Sequence, residues 1–320
     1  MQALEGVRGL SHAGSWAEAG RLFLSFCESK GLARGTITDY RCAFARFAFY
    51  LRENGGPSCP ADLDRAGVRA FTAYLLNRYS SRRGRAAARL SSKTIHNTIV
   101  ALRTFFGFLA EEGIIPDGIA RALIAPPVRS RVIQAMTPVQ VQALLAQPKK
   151  RTFTGLRDYA LMSLLLDSGL RISEALSLRA RDVNWQEGVV TVIGKGGKER
   201  QVPFGAKVKR ELWRYVARRG EVPGQDLLFV TRTGERLKPK QLQSALKRYA
   251  EKAGIQGVRV SPHTLRHTFA RMWIVNGGDV FSLQRILGHT TMDMVRRYVD
   301  LAAGDVAAQH RRFSPMDRLA

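Results

Sequence analysis

The sequence is poor in acidic side chains and in cysteine, and it has no long apolar run. Of 320 residues, 26 are Asp or Glu against 51 Lys or Arg. Cys27, Cys42 and Cys59 lack metal-ligand spacing and do not suggest a disulfide scaffold, which favours a reducing compartment. No apolar stretch reaches the ~18 residues of a membrane span, and the N-terminus lacks a signal-peptide pattern. We therefore expect a cytoplasmic protein without a membrane partner.

The basic excess is the strongest compositional signal. A formal net charge of +25 on a chain that is 45% hydrophobic, and so able to form cores, indicates a folded protein with a polyanionic partner. Nucleic acid is favoured over the alternative that the charge serves solubility alone. A DNA partner would place the protein at the nucleoid.

Hydrophobic periodicity predicts two domains. In the first, apolar residues at helical spacing predict four helices, the second capped by Thr36 or Thr38 and the last running from about Ser92 to Glu111. The segment 115–131 is irregular and rich in proline, as linkers are. We predict an N-terminal helical domain over 1–124, a linker over 125–136 and a second domain over 137–320.

The second domain is predicted to be mainly α with a small antiparallel β-sheet. Gly169 follows an apolar helical stretch and suits a left-handed cap. Val189–Ile193 and Glu199–Pro203 are predicted strands joined by a glycine-rich, lysine-bearing loop. That loop has neither Walker spacing nor a dinucleotide-binding context, so its lysines are interpreted as directed at nucleic-acid phosphate. Leu227–Val230 is predicted as a further short strand.

Several basic side chains are DNA-binding candidates. Four arginines fall among small residues between positions 80 and 89, where they can follow a DNA backbone or form a solvated charge run. The full set of candidates is Arg82, Arg83, Arg85, Arg89, Lys93, Lys198 and Lys240.

A predicted helix that starts at Ser261 has a histidine and an arginine on its first turn. Ser261 is a good N-cap and Pro262 suits the first helical position. His263 and Arg266 then lie on one face of the first turn, a pairing suited to a phosphate oxygen. His263 and His267 have a spacing that a metal could use, but no Glu or nearby Cys completes a site, so we expect no metal.

Five motifs in order and spacing resemble the catalytic set of the tyrosine recombinases, closest to the Xer-type and phage-integrase branch. They are Gly169-Leu170-Arg171-Ile172-Ser173-Glu174, Gly194-Lys195-Gly196, His263-Thr264-Leu265-Arg266-His267, Leu287-Gly288-His289 and Tyr298. The resemblance covers essentially the whole chain, and residues 94–109 look like that family's SAM-like core-binding domain. It implies a site-specific recombinase whose two domains form a clamp around DNA.

The resemblance also implies which residues carry the reaction. Tyr298 would attack a DNA phosphodiester and form a 3′-phosphotyrosyl link. Arg171 and Arg266 would bind the non-bridging oxygens and stabilise the charge of the transition state. Fixed cations would replace a metal, and the covalent link would conserve bond energy, so no cofactor is expected.

The resemblance implies that the remaining residues of the set transfer protons or support the site. Lys195 would protonate the leaving 5′-oxygen, His263 would accept or return the tyrosine proton, and His289 would hydrogen-bond a phosphate oxygen. Glu174 would support Arg171 or His263. Lys198 is an alternative to Lys195, because both belong to one predicted hairpin.

The implied partner is double-stranded DNA with specific recombination sites. The implied assembly is a homo-tetramer on two sites, or a hetero-tetramer with a related recombinase. Two other functions remain open from the sequence: a topoisomerase-like enzyme that relaxes DNA by the same chemistry, and a non-catalytic DNA-binding protein.

Overall fold

The computed structural model describes residues 14–77, 90–128, 134–194, 197–221, 226–288, 292, 310, 314 and 316–318. The chain divides into two compact units, Met1–Arg131 and Val132–Ala320. Each unit has its own hydrophobic core, and Leu123 packs in the first whereas Met136 packs in the second. The exact domain and linker boundaries stay a prediction.

Four α-helices make up most of the described part of the first unit: α1 (Trp16–Ser29), α2 (Arg34–Glu53), α3 (Arg65–Asn77) and α4 (Ser92–Glu111). The Ser91 hydroxyl accepts a hydrogen bond from the Thr94 N–H and caps α4, which spans the predicted residues. The predicted start of α2 was wrong. That helix begins at Arg34 after Ala33, without a side-chain cap, so its packing outweighs its local start signal.

Aromatic rings dominate the core of this unit. Phe47 lies edge-on to Phe71 and Phe106, with ring centroids 5.1 and 5.2 Å apart. All three rings are fully buried. Edge-to-face packing of this kind adds to the stabilisation from burial. Short 3₁₀ turns lie at Pro60–Asp62 and at Ala120–Ala122, and the second of them packs on α4.

The second unit is mainly helical, as predicted. Among its described residues, the helices are α5 (Pro138–Leu145), α6 (Phe153–Ser168), α7 (Ile172–Ser177), α8 (Ala206–Arg219), α9 (Pro239–Lys252), α10 (Pro262–Val275) and α11 (Val280–Leu287). Helix α6 is buried over most of its length and packs against both α8 and α10. Gly169 ends it in a left-handed conformation with φ 61°, as predicted.

Three antiparallel strands form a small sheet in the order β1 (Val183–Asn184), β2 (Val189–Ile193) and β3 (Glu199–Pro203). Strands β2 and β3 have the predicted bounds, and they pair from Val189 with Pro203 to Ile193 with Glu199. The strand predicted over Leu227–Val230 was wrong. Only isolated bridges form there, from Leu227 to Arg179 and from Val230 to Arg236.

The fold is therefore mainly α with a small antiparallel sheet. Helix α11 was not predicted, although Asp279 caps its start, Gly288 ends it in a left-handed conformation and its buried residues recur at helical spacing. Strand β1 was not predicted because two residues are too few to show an alternation. Within the residues described, none of the helices has the length and apolar character needed to cross a bilayer.

Candidate active site

The start of α10 orients two of the predicted site residues. The Ser261 hydroxyl accepts a hydrogen bond from the Thr264 N–H at 3.2 Å, and Pro262 occupies the first helical position. Leu265 and Phe269 face the core and fix the rotation of the helix. This start was predicted from the two local signals.

Arg266 lies on the inward side of α10 and is only 4% exposed. Its Nη1 donates to the Gly169 carbonyl and its Nη2 to the Leu287 carbonyl, each at 2.7 Å. The sequence predicted a guanidinium that projects from the helix end towards a phosphate. The structure shows one that is held in place from two sides, by the turn after α6 and by the end of α11.

Arg171 and Glu174 form the predicted contact. Arg171 is the N-cap residue of α7, not a residue within the helix, and its N–H donates to Glu174 Oε2 at 2.9 Å. Its Nη1 donates to Glu174 Oε1 at 2.8 Å. The Arg171 side chain is 38% exposed, whereas that of Glu174 is 6% exposed. The arginine can therefore reach solvent or a ligand while its carboxylate support stays buried.

Arg200 is a member of this cluster that the sequence reasoning missed. It lies on β3 and donates from Nη1 to Glu174 Oε1 at 3.0 Å and from Nη2 to Glu174 Oε2 at 2.8 Å. Its Nε donates to the Ile286 carbonyl at 2.9 Å. The available signal was its alternation with buried Val202, which puts both side chains on the inner face of the strand.

Three arginines from separate elements meet at the end of α11. Arg200, Arg266 and Arg171 donate to the consecutive carbonyls of Ile286, Leu287 and Gly288; the last contact, from Arg171 Nη2, is 3.4 Å long. The C-terminal carbonyls of a helix carry partial negative charge and attract cations. This end of α11 directly precedes His289 in the sequence.

Burial opposes ionisation of Glu174, but hydrogen bonds from Arg200 and from the backbone and side chain of Arg171 outweigh it. The pKa of the Glu174 carboxyl is therefore lowered below its ordinary value. Glu174 is an anion at neutral pH, and it partly compensates the positive charge of the two arginines. The site thus combines a buried anion with cations that have different degrees of exposure.

His263 is exposed at the first turn of α10 and contacts His267 one turn later. Their Nε2 atoms are 3.0 Å apart and the rings meet edge to face. Although the residue as a whole is exposed, the surrounding protein removes part of the water around the ring, and this desolvation, followed by the nearby charge of Arg266, lowers the pKa of His263. The ring is therefore neutral near pH 7 and can accept a proton. Across the part of the chain that the structure describes, no cluster of three His, Cys, Asp or Glu side chains could hold a metal.

The structure thus brings together Arg171, Glu174 and Arg266 of the predicted set, and His263 lies on the same turn of α10 as Arg266. Among the DNA-binding candidates, Lys93, Lys198 and Lys240 are exposed, on α4, on the β2–β3 hairpin and on α9. The other predicted residues lie outside the described residues: Lys195, His289, Tyr298, Arg82, Arg83, Arg85 and Arg89.

Comparisons with known proteins identify the family of this chain. The profile of the phage integrase family matches residues 134–304, and that of the phage integrase N-terminal SAM-like domain matches residues 22–113. The chain belongs to the phage integrase family and is a tyrosine-type site-specific recombinase.

Individual relatives match most of the chain. It is 35% identical to tyrosine recombinase XerD of Xanthomonas axonopodis pv. citri over 301 residues, covering 91% of this chain and 94% of that protein. It is 30% identical to tyrosine recombinase XerC of Myxococcus xanthus over 281 residues, covering 86% and 89%.

Solved structures share the fold at lower identity. The XerH recombinase bound to its difH substrate superposes with a TM-score of 0.68 at 20% identity, covering 95% of this chain and 86% of that one. A lambda integrase dimer bound to a COC′ core site superposes with a TM-score of 0.67 at 16% identity, covering 88% and 97%.

Proposed function

We propose that this recombinase cuts and rejoins double-stranded DNA at specific sites through a 3′-phosphotyrosyl link to Tyr298. The observation that carries the proposal is the convergence of Arg171 and Arg266 on adjacent carbonyls at the end of α11. Two fixed guanidiniums beside a neutral histidine suit the transfer of a phosphoryl group. Tyr298 falls inside the residues matched by the family profile, nine positions after His289.

In the proposed reaction, the phenolic oxygen of Tyr298 forms a bond to phosphorus while the bond from phosphorus to the 5′-oxygen breaks. His263 takes the phenolic proton, and Lys195 gives a proton to the leaving 5′-oxygen. A free tyrosine has a pKa near ~10, so the nucleophile depends on a base and on nearby cations. Attack by another strand's 5′-hydroxyl reverses the step and rejoins DNA.

The other predicted residues have supporting roles in this proposal. Arg171 and Arg266 neutralise the non-bridging oxygens, and His289 donates a hydrogen bond to one of them. Glu174 keeps Arg171 in place. Lys198 shares the hairpin with Lys195 and stays the alternative general acid. Lys93, Lys240 and the arginines between positions 82 and 89 contact the DNA backbone.

We further propose that the active form is a tetramer on two DNA sites, either of one chain or with a related recombinase, in the cytoplasm at the nucleoid. The biological outcome would be integration, excision or resolution of DNA elements. The similarity to the tyrosine recombinases XerD and XerC, and to the XerH site-specific recombinase bound to difH DNA, supports a DNA substrate with defined sites.

A nicked suicide substrate tests this proposal directly. The purified protein is incubated with such DNA in buffer containing a chelator and no nucleotide, and a denaturing gel reports protein-linked DNA. We expect a covalent band with the wild type and none with Tyr298→Phe. Tyr249→Phe is the matched control, because that hydroxyl donates to Asp158 Oδ2 at 2.9 Å, and burial followed by this carboxylate raises the pKa of Tyr249.

The same experiment separates the other two functions. A covalent band on any sequence, with relaxation of a plasmid that carries no recombination site, would favour the topoisomerase-like reaction. Tight DNA binding without any covalent band on substrates that carry the site would favour the non-catalytic protein. Retention of the band in Tyr298→Phe would contradict the proposed nucleophile.

A further inference from the structure

We infer that Arg200 is a positioning residue for strand cleavage, which acts by holding Arg171 and the end of α11 in one arrangement. The inference deepens the proposed function and rests on it. Arg200 belongs to none of the five motifs, and it takes no part in the bond changes proposed for the reaction.

The contacts of Arg200 join three elements of the second unit. From β3 it reaches Glu174 on α7 with two hydrogen bonds and the Ile286 carbonyl on α11 with a third. Its side chain is only 14% exposed. A planar guanidinium with three aligned bonds has little rotational freedom, so Arg200 fixes the distance between α7 and α11.

Glu174 transmits this restraint to Arg171. Each of its two oxygens accepts one hydrogen bond from Arg200 and one from Arg171. Both oxygens are therefore fixed from two sides. Without Arg200 the carboxylate could rotate about its last bond, and the more exposed guanidinium of Arg171 would rotate with it.

Gly288 shows how closely Arg200 lies against the end of α11. A Cβ atom built on Gly288 would lie 3.0 Å from Arg200 Cζ and 3.1 Å from its Nε and Nη1. Two physical reasons therefore favour glycine at position 288 of the Leu287-Gly288-His289 motif: its φ of 62° and the close approach of Arg200. The absence of a side chain at Gly288 leaves room for the Arg200 guanidinium, which binds the Ile286 carbonyl next to the carbonyls bound by Arg266 and Arg171.

The test compares Arg200→Gln and Arg200→Lys with the wild type in single-turnover cleavage of a suicide substrate at saturating DNA. We expect the cleavage rate to fall about 10- to 100-fold, as a small misplacement of a reacting group does, while the dissociation constant for DNA changes less than about threefold. Arg200→Lys keeps the charge but not the paired bonds, so we expect little rescue. An Arg200→Lys rate equal to that of the wild type would overturn the inference.

Arg214→Gln is the matched control, since Arg214 Nη1 also binds a buried carboxylate, Glu211 Oε1, at 3.1 Å on α8. We expect it to cleave at the wild-type rate. A double variant shows whether Arg200 acts through Glu174. If it does, adding Arg200→Gln to Glu174→Gln lowers the cleavage rate by less than about a further twofold. A double variant whose rate falls by the product of the two single reductions would contradict this route.

A second measurement does not depend on cleavage, and thus separates failure of this inference from failure of the proposed function. Side-chain NMR of ¹⁵N-labelled arginine reports hindered rotation of the Arg171 guanidinium. We expect slow rotation in the wild type and in Arg214→Gln, and fast rotation in Arg200→Gln. Unchanged slow rotation in Arg200→Gln would overturn the inference even if recombination is normal.

Discussion

Arg200 and Glu174 form a two-bond ion pair, Nη1 to Oε1 at 3.0 Å and Nη2 to Oε2 at 2.8 Å, between β3 and α7. The carboxylate also binds Arg171, so one buried anion serves two cations. Removing one partner from a buried ion pair costs more than the pair itself contributes, because the remaining charge has lost its compensation. Glu174 is therefore the residue on which the geometry of this cluster depends most.

Glu174→Gln should destabilise the second unit in a pH-dependent way. The pKa of Glu174 is lowered in the folded protein. Its stabilising contribution is therefore complete above the unfolded pKa of about 4.3 and is lost as the pH falls through the folded pKa. We expect a loss of about 2–3 kcal/mol at pH 7 that shrinks towards zero in acid, measured by urea unfolding at a series of pH values.

The exposed carboxylate of Glu199, on the same strand as Arg200, provides the control for this prediction. Glu199→Gln should change the free energy of unfolding by less than about 0.5 kcal/mol at any pH. A Glu174→Gln loss that is the same at pH 7 and at pH 3 would show that the ion pair is not its source.

Gly288→Ala should disturb the cluster more than its backbone conformation alone explains. A left-handed alanine costs about 1–2 kcal/mol wherever it occurs. Gly254 has the same φ of 62°, but a Cβ there would have no atom within 4 Å. Gly254→Ala thus reports the backbone cost, and we expect Gly288→Ala to cost about 1 kcal/mol more in thermal or urea unfolding, from displacement of Arg200.

The Gly288→Ala variant should also cleave DNA more slowly, by about tenfold, because the end of α11 and Arg200 move together. Gly254→Ala should cleave at the wild-type rate. If the two variants have the same free energy of unfolding and the same cleavage rate, a Cβ atom at position 288 does not displace Arg200, and the prediction is wrong.

The pH dependence of cleavage should report His263. Its pKa is lowered by desolvation of the ring and by Arg266, with His267 in direct contact. A lowered pKa keeps the ring neutral, and able to take the proton of Tyr298, to a more acidic pH than an ordinary histidine. We expect the acid limb of the single-turnover rate below the usual histidine value of about 6.5.

His263→Asn identifies the group behind that limb. This variant should cleave slowly, and its rate should not fall with decreasing pH in the range where the wild-type rate does. The rate of His267→Asn should still fall in acid, but at a different pH from the wild type. An acid limb that is identical in the wild type and in His263→Asn would assign the titration to another group.

Features with a local signal could be predicted from the sequence. Ser261 and Pro262 mark the start of α10, and Gly169 marks the end of α6, because cap preferences act within a few residues. The β2–β3 hairpin follows from alternation around a glycine-rich loop. The contact between Arg171 and Glu174 follows from their spacing of three.

Features that depend on long-range packing could not be predicted in this way. Arg200 reaches Glu174 across 26 residues and Ile286 across 86. Arg266 turns inward because Leu265 and Phe269 bind the core, and its partners are 97 and 21 residues away. Neither periodicity nor capping contains such information. The catalytic roles of all the site residues stay predictions from the motifs, and of these residues Lys195, His289 and Tyr298 lie outside the described part of the chain.

The most direct test of the central claim is to identify the DNA-linked residue. The covalent complex from a suicide substrate is digested with nuclease and trypsin, and the modified peptide is sequenced by mass spectrometry. We expect a nucleotide attached through its 3′-phosphate to Tyr298, the first residue of the tryptic peptide that ends at Arg311 and its sole tyrosine. Attachment to any other residue, or through a 5′-phosphate, would contradict the account.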